Sequence, residues 1–160
     1  MRRAHFLISG AWLLQGAAWF LPVVTGVYGG ETNPISGLQA FLVASSAVWP
    51  WHHFYDKWYD FVLAALSVLT TLLFVIGTPW VVFRGTHQIR RVFAWLAAAG
   101  FFLNAHWYIR LRPNGYVSAL GIGYFLWWWS FSLLAIGLFD LTRRNDAIQP
   151  AQGQAALLPR

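Results

Sequence analysis

Leu38–Trp51, LQAFLVASSAVWPW, decides how many times this chain crosses a membrane. It is apolar over 14 residues. As a helix that is roughly 21 Å, against about 30 Å of bilayer hydrocarbon. Ser45 and Ser46 interrupt it, and Trp49, Pro50 and Trp51 close it. That length and that aromatic end predict a short interfacial or re-entrant helix, not a crossing.

The flanking composition supplies the membrane. Of 160 residues, 10% are charged, 58% are hydrophobic and 11 are Trp. An ordinary globular chain is about 25% charged, and a domain this small has too little interior to hide so much apolar surface. The absence of cysteine excludes disulfides, thiolate metal sites and a cysteine nucleophile. The formal net charge of +6 lies in short arginine clusters at the ends of apolar runs. That distribution orients a chain in a bilayer; it is not a nucleic-acid surface.

Working outward, four uncharged runs read as spans: residues 6–27, 61–83, 92–109 and 117–139. The first is too long for a signal-peptide core and Val23, Val24 and Thr25 offer no small-residue cleavage site. Gln15 in its middle calls for a partner on a neighbouring helix. Gly26, Gly29, Gly30, Asn33, Pro34 and Gly37 mark a loop after it. In the second span Thr70 and Thr71 can bond back to their own helix, and Gly77-Thr78-Pro79 is expected to bend or end it. The fold class is therefore an all-α membrane protein: a four-transmembrane-helix bundle with an additional short interfacial or re-entrant helix in the first outer loop. Residues 1–144 form one transmembrane domain, and 145–160, rich in Ala, Gln and Pro, form a flexible cytoplasmic tail.

The arginines test the count. With four spans, Arg2, Arg3, Arg84, Arg90, Arg91, Arg143, Arg144 and Arg160 share one side, and Lys57, Arg110 and Arg112 the other: eight against three. If 38–51 crossed as well, the split would be five against six. The positive-inside rule selects four crossings with both termini cytoplasmic, in a bacterial-type inner membrane.

That topology gathers chemistry at the outer end. His52, Asp56 and Asp60 fall at i, i+4 and i+8, one stripe if helical. With His53, and with Asn104, His106 and Arg110 from the third span, they make a candidate polar cluster. Imidazole and carboxylate from His52, Asp56, Asp60 and His106 suit zinc, manganese or iron. Arg110 paired with Asp56 or Asp60 would instead staple spans two and three and neutralise those carboxylates. Trp127, Trp128 and Trp129 point three ways around one helix, as packing or as a ligand wall. Haem would need two axial histidines at matching depth, and only His106 lies within a span.

No Gly-rich phosphate loop, Ser/His/Asp arrangement in a span or His-Glu-x-x-His signature occurs. A long first outer loop resembles the layout of claudin-like tetraspan proteins, in topology alone; the loop cysteines of that family are missing, and the residues identify no family. The sequence favours a non-enzymatic protein, with no cofactor, whose partners are the bilayer and another membrane protein or itself. It would be an accessory subunit, a helper or an immunity-type protector. The alternatives are a metal- or proton-linked enzyme or carrier using the outer His/Asp cluster, and a self-associating pore.

Overall fold

The computed structural model describes residues 2–28, 31–48, 57–111 and 117–155. The chain is mostly helical, and three helices are long and apolar enough to cross a membrane: Trp58–Arg84, His87–Ile109 and Ile122–Arg143. Helix α1 (Arg2–Phe20) has 19 residues. It starts earlier than expected and stops at Phe20, not at Val27.

The reason is local. Pro22 disfavours helical backbone at Leu21, and Val23, Val24 and Thr25 are β-branched. The chain turns into strand β1 (Pro22–Tyr28), pairs antiparallel with β2 (Glu31–Ser36), and later receives β3 (Val117–Leu120) on its other edge, in the order β2-β1-β3. Val24 stands opposite both Ile35 and Leu120. This sheet corrects the all-α assignment: residues read as the ends of spans one and four pair as strands, and part of the presumed loop supplies the third.

The short helix expected within 38–51 is α2 (Gly37–Ser45), nine residues long. At about 1.5 Å per residue it is less than half a crossing. A capping box starts it, with Gln39 N–H donating to Ser36 Oγ and Ser36 N–H donating to Gln39 Oε1.

The second long helix does not end at Gly77-Thr78-Pro79. Helix α3 (Trp58–Leu72) passes through a π-helical turn (Leu73–Gly77) into α4 (Thr78–Arg84). Proline lacks an N–H and its ring crowds the carbonyl four residues back; the widened turn accommodates both without breaking the rod. Arg90, from helix α5 (His87–Leu111), donates to the Val81 and Val82 carbonyls at 3.3 and 3.0 Å and so caps the end of α4. Helix α6 (Ile122–Ala155) continues past Arg144 into the stretch read as the tail.

Contacts fix the helix directions. Gln15 meets Ser130 while Gly137 sits against Ile8, so α1 and α6 run antiparallel. Phe101 stacks on Trp128 while Trp95 meets Phe139, and Thr70 bonds Asn104 while Gly77 abuts Phe93. The directions therefore alternate through α1, α3–α4, α5 and α6. One end gathers Arg2, Arg3, Arg84, Arg90, Arg91 and Arg143; the other carries the sheet and α2.

Between the ends, polar side chains are buried alongside an apolar core that includes Phe74, Phe131, Leu134 and Leu138. Gln15, Ser67, Thr71, Asn104 and Ser130 are buried. Outside, large apolar residues are exposed at every seventh position: Phe6, Leu13 and Phe20; Val62, Leu69, Ile76 and Phe83; Trp95, Phe102 and Ile109; Ile122, Trp129 and Ile136. Seven residues are close to two helical turns, so each helix presents one continuous apolar ridge outward.

Two glycines join the sheet to the bundle. Gly37 N–H donates to Leu21 O at 3.1 Å and Gly121 N–H to Val23 O at 2.9 Å. A Cβ at Gly37 would overlap the Ala18 carbonyl, and one at Gly121 the Pro22 carbonyl. Gly121→Ala is expected to destabilise the protein by about 1–3 kcal/mol, the usual result of overpacking. Thermal unfolding in detergent, compared with the same change at Gly10, where a Cβ meets nothing, checks it.

Candidate functional site: an aromatic chamber at the sheet end

Helix α3 presents Ser67, Thr70 and Thr71 to its neighbours. Thr70 Oγ1 and Thr71 Oγ1 each donate to the Ser67 carbonyl at 2.9 Å. With their protons committed, both hydroxyls turn lone pairs outward and act as acceptors. Asn104 Nδ2 of α5 donates to Thr70 Oγ1 at 3.3 Å, and Trp127 Nε1 of α6 to Thr71 Oγ1 at 3.3 Å. Trp107 Nε1 of α5 donates to Ser67 Oγ at 3.0 Å. Each incoming group is an N–H donor because acceptors are what α3 offers.

Above this array lies a partly open chamber of about 300 Å³. Its walls come from α1, α2, α3, α5 and α6, and β1 and β2 contribute Val23, Val24 and Ile35. Trp19 and Phe41, with ring centroids 5.3 Å apart, form one side. Trp107, Tyr124 and Trp127 line it as well, and among the described residues no charged side chain lines the chamber. The Tyr124 hydroxyl donates to Asn104 O at 2.9 Å and accepts from Tyr108 N–H at 3.1 Å, so its polarity is directed into the helices. The volume lies at the lower bound of small-molecule sites, roughly 300–1,000 Å³.

The sequence-derived candidates separate. His52, His53 and Asp56 lie outside the described residues. Asp60 sits in the first turn of α3, half-buried, where a carboxylate meets the positive end of the helix dipole. Asn104 is fully buried and bonds α3 as a span-embedded amide should. His106 is half-buried, its Nδ1 on the Leu103 carbonyl of its own helix and its ring against Trp107. Arg110 lies on α5, its side chain outside the described set. Among the described residues no three His, Cys, Asp or Glu side chains group as metal ligands.

The tryptophan triplet divides its work. Trp127 lines the chamber, and Trp128 donates to Phe101 O at 2.8 Å while stacking on the Phe101 ring at 5.0 Å. Trp129 is 52% exposed. Of the chamber, sequence reasoning singled out Trp127 and remarked on Thr71; it missed Trp19, Phe41, Ser67 and Trp107. Ser67 and Thr71 at i, i+4 were the available signal. Trp107 had none, because its partner lies 40 residues away.

A second polar contact holds α1. Ser130 Oγ donates to Gln15 Oε1 at 2.7 Å, both residues buried. No family model, curated protein or solved structure matches this chain.

Ser130→Ala leaves the Gln15 amide without that donor, at a cost of about 1–3 kcal/mol. Adding Gln15→Leu to Ser130→Ala is expected to recover most of the loss, with a coupling of about 0.6–2 kcal/mol. A double-mutant cycle on detergent unfolding measures it, and additive losses would contradict the pairing.

Proposed function

We propose that the chain crosses a bacterial-type inner membrane four times, α1 included, with both termini cytoplasmic, and that it works by binding, holding a neutral lipophilic molecule in the chamber at its outer end. The uncharged, aromatic-walled chamber carries the reading. Its described lining suits a hydrocarbon chain or ring better than an ion, whose desolvation none of the described lining residues offsets. Four crossings are supported by the ridge Phe6, Leu13 and Phe20, which makes the outer face of α1 as apolar as the other three. The arginines collected at one end favour the cytoplasm for that end.

A second reading, contact with another membrane protein or a second copy, is favoured by Trp129. It is exposed about 10 Å below the start of α6, beneath the interface that tryptophan prefers. Native mass spectrometry of the wild type and Trp129→Ala tests for an assembly held by that side chain.

Because the chain has no cysteine, single introduced thiols report topology cleanly. Asn33→Cys is expected to react with an impermeant maleimide in intact cells, and His5→Cys and Thr86→Cys only after permeabilisation. Labelling of His5→Cys from outside, with Thr86→Cys still protected, would remove α1 from the membrane. For the chamber, radiolabelled tetradecane is expected to bind the purified chain in nanodiscs saturably. Ala44→Phe, which fills the chamber wall on α2, should abolish that binding without lowering the melting temperature.

A further inference from the structure

Ser67 differs from the other two hydroxyls of the α3 array. Thr70 and Thr71 spend their protons on the Ser67 carbonyl. Ser67 Oγ receives the Trp107 indole N–H at 3.0 Å, and among the described residues no acceptor takes its own proton. The residue is 4% exposed and its side chain lines the chamber. A hydroxyl holds one donor and two acceptor lone pairs, and a buried polar group is rarely left with its donor idle. Here the indole occupies one lone pair and leaves the proton to the cavity.

The neighbouring polar groups do not compete for it. Thr71 Oγ1 already accepts from Trp127 Nε1, and the Tyr124 hydroxyl both donates and accepts within the helices. Among the described residues the chamber thus offers apolar and aromatic walls with the Ser67 hydroxyl as a buried hydrogen-bond donor, beside the half-buried indole of Trp19. Its complement is an uncharged acceptor oxygen attached to hydrocarbon.

Resting on the chamber-binding reading above, we infer that the ligand is a carbonyl-bearing lipophile, with its carbonyl oxygen on Ser67 Oγ and its hydrocarbon against Trp19, Phe41 and Trp127. An acyl ester and an alkylquinone share this chemistry. A carboxylate does not fit it, because among the described residues no cation lines the chamber. The indole N–H on Ser67 polarises the hydroxyl and strengthens its donation, as successive hydrogen bonds do.

The test compares methyl laurate with tetradecane, both radiolabelled, on the full chain in nanodiscs, each corrected for partition into empty discs. Methyl laurate is expected to bind about fivefold tighter, the worth of one net hydrogen bond near 1 kcal/mol. Ser67→Ala should erase that difference, read as the ratio of the two affinities, and Ser67→Thr, which retains a hydroxyl, should restore it. Equal wild-type affinities for the two probes would overturn the carbonyl assignment and leave the chamber as a binding site. Saturable binding of neither probe would overturn both. The wild-type comparison decides even if Ser67→Ala fails to fold. Competition against methyl laurate by unlabelled methyl myristate or by decylbenzoquinone then separates the acyl from the quinone source, and competition by neither counts against the proposal.

Discussion

In a bundle whose outside is hydrocarbon-like, a polar side chain inside has to find its partner on another helix. The α3 hydroxyls show how this constraint propagates. Thr70 and Thr71 donate within their own helix, which fixes their lone pairs outward and selects N–H groups as what can dock there. Asn104 and Trp107 supply them from α5, and Trp127 from α6. In the membrane each such bond contributes only about 0.6–2 kcal/mol. Their greater effect is on register, since a shift of α3 by one residue would misplace all three together. Phe74 against Phe131, edge-on at 5.2 Å, fills the layer below with apolar contact.

The sheet follows from the same accounting of backbone groups. Once Pro22 ends α1, the chain still has N–H and C=O groups to satisfy near the bilayer surface. Pairing β1 with β2 and β3 satisfies them without water. Gly37 and Gly121 bring the following helices to the carbonyls of Leu21 and Val23. Side chains larger than hydrogen would hold those helices off and open the seam between cap and bundle.

Much of this was legible in the chain. Of the four apolar runs read as spans, three gave helices long enough to cross, because length leaves few alternatives, and the short helix expected after the first is present as α2. Gln15 and Asn104 declared themselves as buried amides needing partners on other helices; each finds one for a single amide atom, while Gln15 Nε2 and Asn104 Oδ1 have none among the described residues. The strands were not read, although Val23-Val24-Thr25 before a glycine-rich turn is a hairpin signal. An apolar run of that kind fits a helix end and a buried strand equally well, and length favoured the helix. The partnership of β1 with β3 joins Val24 to Leu120, more than half the chain apart, so no local pattern announces it. The outer His/Asp cluster rested on a stripe whose first members, His52 and Asp56, lie outside the described residues.

The chamber itself is a consequence of where α1 stops. At 19 residues α1 is about 28 Å long, and its final turn, with Ala18 and Trp19, forms part of the wall. Had residues 22–27 continued as helix, their side chains would have packed down the bundle axis as the rest of α1 does against α6. A strand instead sends alternate residues to opposite faces, and the register shift between Pro22 and Val24 disturbs that alternation. Val23, Val24 and Ile35 reach the space, and the nine residues of α2 close over it without filling it. The proline that breaks the first helix is thus also what leaves a lined space beside Ser67, where a helix would have left packed side chains.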